Sequence, residues 1–277
     1  MSLIIAKNKL DRNQLIELPA PEITNTHRPV KFSQLVDKTY RALNKQGYKI
    51  KREEFATGRD NRLFFGGFAL ENTLHARADV FKSDRDVFFG IRSSYNKSLA
   101  VTVCMGNSLM VCENLEISSD IVLSRKNTKN SEIDISPMLN TIISGIVTSQ
   151  INTNNRFEAY QNTEISSNQA NGLIMDLAEA SEKKTTSNAF PARAVIPTIK
   201  EFHNQRHDEF KGNHLWNLYN SVTENLKGSD LHKLPARTMA AQSAFDSVAN
   251  FQAVDLEFLK QQEAKIESDE IEVFLAN

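Results

Sequence analysis

The amino-acid sequence predicts an α+β protein, in which an N-terminal antiparallel β-sheet packs against helices of a mainly helical C-terminal half. Short apolar runs rich in β-branched and aromatic residues, which are typical of strands, occupy the first half of the chain. In the second half, apolar residues recur instead at helical spacing. Strands first and helices afterwards is the order typical of α+β folds, in contrast to the alternation found in parallel sheets.

The centre of the first half predicts an antiparallel meander. Its first strand is Val87–Ile91, and the polar loop Ser93–Ser98 separates this strand from a second one at Leu99–Met105. Gly106–Asn107 is predicted to form a turn, because both residues tolerate a positive φ, and a third strand follows at Leu109–Cys112. A meander this apolar needs helices to cover at least one of its faces.

The remaining elements divide the chain into four regions. A helix is predicted over residues 33–47, with Ser33 as its N-cap and Gly47 at its end, and three strands follow it, at Tyr48–Phe55, Leu63–Leu70 and Leu74–Phe81. Pro137 is predicted to open a long helix that contains Gly145, and five more helices come after it, the last of them the charged segment Asp255–Glu270. The predicted regions are a polar leader, a sheet region with one helix, a helical region that packs on the sheet, and an acidic tail: residues 1–25, 26–130, 131–253 and 254–277.

Several short motifs resemble one known family. They read SSYNKS, VCENL, RKNT, THRP and NHLWNLYNSVTENLK, and they begin at Ser93, Val111, Arg125, Thr26 and Asn213. With these motifs the chain resembles the domain-of-unknown-function 932 family, over about residues 20 to 250. The resemblance implies a setting in a phage or another mobile genetic element. It implies no activity for individual residues, because the family has no general biochemical activity that can be carried over residue by residue.

Charge is distributed unevenly along the chain. The first 150 residues hold 21 Lys and Arg against 16 Asp and Glu, whereas the remainder holds 12 against 18. This asymmetry predicts a polyanion-facing N-terminal half, and chance unevenness of a solvated surface is the alternative. The sequence has no apolar run of about 18 residues, so no membrane partner is expected. A start too short for a secretory signal predicts a cytoplasmic protein, located in the host cytoplasm if a phage encodes it.

Candidate nucleic-acid-binding residues lie on the central loop and near it. A cation, an aromatic ring and an amide on an exposed hairpin are a common means of holding nucleic acid. The same surface is predicted to extend to cations after the next strand and on the first helix. The full set is Arg92, Tyr95, Asn96, Lys97, Arg125, Lys126, Lys38, Arg41 and Lys45. The alternative is that Tyr95 packs in the interior while Asn96 makes the turn.

No catalytic motif is present in the sequence. It contains neither a phosphate-binding loop with the G-x-x-x-x-G-K-[ST] pattern nor a G-x-G-x-x-G fingerprint. His203 and His207 stand four residues apart, but Asn204 replaces the Glu that a zinc protease needs after the first His. We therefore expect no enzyme, metal or cofactor. The leading hypothesis is a non-enzymatic protein associated with DNA, and the alternative is a protein-binding factor that inhibits or redirects a host component. A homo-oligomer stays open.

Overall fold

The computed structural model describes residues 6, 8–58, 60–71, 85–109, 115–127, 131–182, 190–208, 211–227 and 233–253. The predicted strand Leu74–Phe81, Cys112 and the predicted acidic tail lie outside these ranges. Within them the chain forms strands and helices in the following order: β1 (Asn8–Leu10), α1 (Arg12–Glu17), α2 (Phe32–Lys45), β2 (Ile50–Gly58), β3 (Leu63–Leu70), β4 (Arg85–Ser94), β5 (Val101–Leu109), β6 (Leu115–Arg125), α3 (Ser131–Ser144), α4 (Ile146–Asn162), α5 (Ser167–Glu182), α6 (Ala192–His203), α7 (Leu215–Leu226) and α8 (Leu234–Val248).

The strands form one six-stranded sheet whose spatial order is the order of the sequence, β1 to β6. Every neighbouring pair is antiparallel, so the sheet is a simple meander, and helices fill the second half of the chain. This confirms the predicted α+β class. β1 and α1 belong to the segment predicted as a polar leader. The described residues of that segment contribute an edge strand and the core side chain of Leu15, which is 1% exposed.

The predicted turn at Gly106–Asn107 is wrong, because both residues lie inside β5. Gly106 is paired with Phe88 of β4, and Asn107 is paired with Glu116 of β6. Asn107 is fully buried, and its amide nitrogen donates to the Thr153 hydroxyl at 3.3 Å. Pairing on both sides and a buried polar contact override the local turn preference of the dipeptide.

One face of the sheet shares a core with α1, α2 and α3. Its strand residues include Phe64, Phe68 and Phe89. The helix predicted over residues 33–47 is α2, which begins at Phe32 instead of after Ser33, and its N-cap position is Lys31, without a side-chain cap. The ring of Phe32 stacks on Phe64 with 4.9 Å between centroids, so burial of an aromatic ring sets the start of this helix.

The predicted long helix after Pro137 is two helices. Pro137 lies inside α3. The helical structure is interrupted at Gly145, which is the N-cap residue of α4. α3 packs on the sheet, whereas α4 to α8 form a second core with aromatic side chains such as Tyr160 and Phe245. α4 also joins the two cores, because the guanidinium carbon of Arg85 in β4 lies 4.7 Å above the ring of Phe157.

Candidate nucleic-acid interface

Four segments of the chain meet at one end of the sheet. The Tyr95 N–H donates to the Arg62 carbonyl at 2.8 Å, which ties the loop after β4 to the turn before β3. The Arg28 N–H donates to the Asn127 carbonyl at 3.1 Å, which ties the segment before α2 to the end of β6. The Asn127 amide then donates to the Ser94 carbonyl at 3.1 Å and closes the group. Residues far apart in sequence therefore share one surface.

Cations dominate the exposed side chains of these four segments. We call this group the basic end, and its members are Arg28, Lys31, Arg62, Lys97 and Lys126, all exposed. Glu22 and Asp60 are the exposed acidic residues on the described parts of these same four segments, which leaves an excess of three positive charges on them. Such an excess on loops attracts polyanions, and phosphate contacts supply most of the affinity in sequence-independent nucleic-acid binding.

Two residues of the predicted loop are placed differently from each other. Lys97 is exposed with φ +65°, and it belongs to the basic end. Asn96 is also exposed, but its side-chain oxygen accepts the Ser98 N–H at 3.1 Å and the Ser98 hydroxyl at 2.6 Å. Asn96 therefore makes the turn, as the alternative interpretation of the sequence predicted. Its amide nitrogen takes no part in these two hydrogen bonds.

Tyr95 is not on the surface, in contrast to its predicted role as a stacking ring. It is 8% exposed, and its ring stacks on Phe32 with 3.8 Å between centroids and an interplanar angle of 6°. Its hydroxyl oxygen accepts the Phe32 N–H at 3.2 Å, so it satisfies a backbone donor at the start of α2. Burial raises the pKa of this phenol. The ring is a core residue that fixes the loop to α2.

Arg92 and Arg125 are both engaged in the fold. Arg92 alternates with Ile91 along β4 and therefore points to the sheet face opposite the α2 core. Burial lowers the pKa of the Arg92 guanidinium. Arg125 forms an ion pair with Asp134 of α3 at 2.8 Å, while its neighbour Lys126 is exposed.

The cations of α2 follow the helix away from the basic end. Lys38 is partly exposed, and Arg41 and Lys45 are exposed. The helix begins beside Tyr95 and is 14 residues long, so its last turn lies about 20 Å from that contact. Lys45 sits in the last turn, where a cation complements the helix dipole. The predicted surface is thus split into a compact group on the loops and a row along the helix.

Sequence reasoning missed three members of the basic end: Arg28, Lys31 and Arg62. Each lies on a connection that carries no periodic pattern, and Arg62 is 34 positions from Arg28 in the sequence. The THRP motif, which contains Arg28, was the available signal. Its position beside the RKNT and SSYNKS motifs becomes visible in the hydrogen bonds of Asn127.

No cluster of three or more His, Cys, Asp or Glu side chains that could hold a metal ion occurs in the part of the chain that the structure describes. α6 ends at His203, so His203 and His207 do not share a helix face. None of the helices in the described ranges is long and apolar enough to cross a membrane.

The buried His27 predicts a pH dependence of stability. It is 5% exposed, and burial, followed by the charge of Lys97, lowers the pKa of its imidazole from 6.5. The unfolded chain therefore binds the proton at higher pH than the folded protein does, and the free energy of unfolding falls as pH drops below about 6.5. We expect His27→Gln to flatten this slope in denaturant titrations between about pH 7.5 and pH 5. An unchanged slope in His27→Gln would assign the effect to other groups.

Comparison with known proteins found no matching family, no matching curated protein and no matching solved structure. The resemblance to the domain-of-unknown-function 932 family therefore stays a prediction from the motifs.

Proposed function

We propose that this chain is a non-enzymatic protein of a phage or another mobile genetic element that associates with DNA through the basic end. It acts in the cytoplasm of the host, where it assists replication, recombination or protection of incoming DNA. The observation that carries the proposal is the convergence of five exposed cations on four hydrogen-bonded segments.

Two features of the basic end support a polyanion as its partner. First, the cations stand on loops, where long side chains reach a phosphate backbone without displacing core residues. Second, the exposed Lys97 lies close enough to the buried His27 for its charge to contribute, after burial, to the lowered pKa of that imidazole, so cationic groups are close together at this end. Neither feature selects a base sequence, so the proposal is sequence-independent binding.

Salt dependence and charge removal test this function together. DNA binding, measured by fluorescence anisotropy, should weaken steeply with salt, with a slope of about −0.9 in log K against log[salt] per neutralised duplex phosphate. Lys97→Gln and Lys126→Gln should each weaken binding evenly across sequences and reduce that slope by about 1. Lys200→Gln is the matched control, because Lys200 is an exposed lysine on α6 in the helical half.

Arg41→Gln measures whether the row along α2 contributes as well. A loss of affinity equal to that of Lys97→Gln would extend the surface along α2, as the sequence predicts. If wild-type protein binds neither single-stranded nor double-stranded DNA at low salt, the DNA hypothesis is wrong. Nuclease-resistant co-purification of a host protein would then support the alternative, a protein-binding factor.

A further inference from the structure

A cavity opens beside the basic end and has two unlike walls. Its volume is about 530 Å³, which lies within the range of pockets that hold small ligands. One wall is the apolar segment after α1, which includes Leu18, Pro19 and Pro21. The other wall is polar and consists of the turn before β3 and the loop after β4, which includes Asn96.

The polar wall presents hydrogen-bonding groups that are already held in place. The Thr57 hydroxyl donates to the side-chain oxygen of Asn61 at 2.6 Å, and Asn61 has a φ of +62°. The side-chain oxygen of Asn96 is held in the same manner by Ser98. These hydrogen bonds hold the side-chain amides of Asn61 and Asn96 in place through their oxygens. The amide nitrogens take no part in them. Asn amides suit the edge of a nucleobase, because an amide offers a donor beside an acceptor.

Charge at the cavity favours a nucleotide over a bare phosphate. Arg62 supplies one cation for a phosphate, whereas Asp60 on the same lining would repel one. A carboxylate instead accepts a hydrogen bond from the exocyclic amine of a base such as cytosine. The apolar segment opposite can cover the flat face of the same base.

We propose that this cavity takes one unstacked nucleotide of single-stranded DNA, with the base between the two walls and its phosphate at Arg62. This inference rests on the proposed function and names its substrate class. Bases in a duplex are stacked and paired, and extruding one costs the free energy of that stacking and pairing. The protein therefore prefers single strands to duplex DNA of the same sequence.

The test compares an oligonucleotide with its own duplex. We expect wild-type protein to bind the single strand about tenfold more tightly, in line with the contribution of one well-held base. Asn96→Ser keeps an oxygen for the turn but removes the amide nitrogen, and Pro19→Ala removes part of the apolar wall. Each variant should lose affinity for the single strand and keep that for the duplex. The fluorescence of a 2-aminopurine base in the strand should increase when wild-type protein binds, because the base is unstacked from its neighbours, and it should increase less when either variant binds.

Asn44→Ser is the matched control, since Asn44 is an exposed asparagine of α2 near the other end of the sheet. Pro19→Ala removes no side-chain hydrogen bond, so it decides the test if Asn96→Ser lowers the melting temperature. Equal affinity for single strand and duplex, or unchanged binding by both variants, would overturn this inference but leave the proposed function standing. Absence of binding to either form would overturn both.

Discussion

Asp246→Ala is expected to destabilise the protein by about 3–5 kcal/mol, because it leaves a buried guanidinium without its carboxylate. Arg156 has a side chain that is 1% exposed, and its Nε donates to both oxygens of Asp246, at 2.9 and 3.2 Å. The Tyr160 hydroxyl donates to the same carboxylate at 2.6 Å. The substitution removes the carboxylate that both donors share. The Tyr160 hydroxyl keeps the Gln242 carbonyl of α8 as an acceptor at 3.2 Å, so the expected loss comes mainly from Arg156. For a chain of this size the melting temperature should fall by about 10 °C.

Two further variants test whether the expected loss of stability comes from the Arg156–Asp246 ion pair or from the removal of any carboxylate. Asp176→Ala removes an exposed carboxylate of α5 and should change stability by no more than about 0.5 kcal/mol. The double variant Arg156→Met/Asp246→Leu should recover much of the lost stability, because apolar side chains can replace a buried ion pair at little cost. If Asp246→Ala has the same melting temperature as the wild-type protein, the Asp246 carboxylate is not required to stabilise the buried Arg156 side chain.

Tyr95→Ala is expected to cost about 3–5 kcal/mol of stability, which is the range for deleting a buried aromatic ring. The ring fills space against Phe32, and its hydroxyl satisfies a backbone N–H at the start of α2. Tyr95→Phe keeps the ring and removes the hydroxyl, so it should cost about 1–3 kcal/mol for the unpaired donor. Thermal or denaturant unfolding measures both.

DNA binding by Tyr95→Phe provides the opposing measurement. Since the ring already stacks inside the fold, Tyr95→Phe should bind DNA like wild type under conditions where it is folded. Lys97→Gln should show the reverse pattern, with weaker binding and nearly unchanged stability. A Tyr95→Ala protein that melts like wild type but loses affinity for DNA would restore the stacking role predicted from the sequence.

The candidate site was predicted in part because hairpin loops are marked in sequence by polar and turn residues. Lys97 is such a residue, and Lys126 lies on the polar connection between β6 and α3; both are exposed where the connections meet. Tyr95 lies in the same loop, but its environment depends on Phe32, which is 63 residues away in the sequence. No local pattern reports the depth of an aromatic ring below a loop, because that depth is set by the helix packed over it.

The α+β class and most helices and strands are predictable from the amino-acid sequence, since hydrophobic periodicity reflects which faces are buried. The bounds of β3 follow the apolar run Leu63–Leu70. The remaining features depend on tertiary contacts. β5 continues through Gly106–Asn107 because it pairs with a strand on each side. Part of the predicted polar leader pairs with β2 as β1, and the predicted helix after Pro137 is divided at Gly145. The basic end also depends on tertiary contacts, because hydrogen bonds between distant connections depend on the register of the whole sheet.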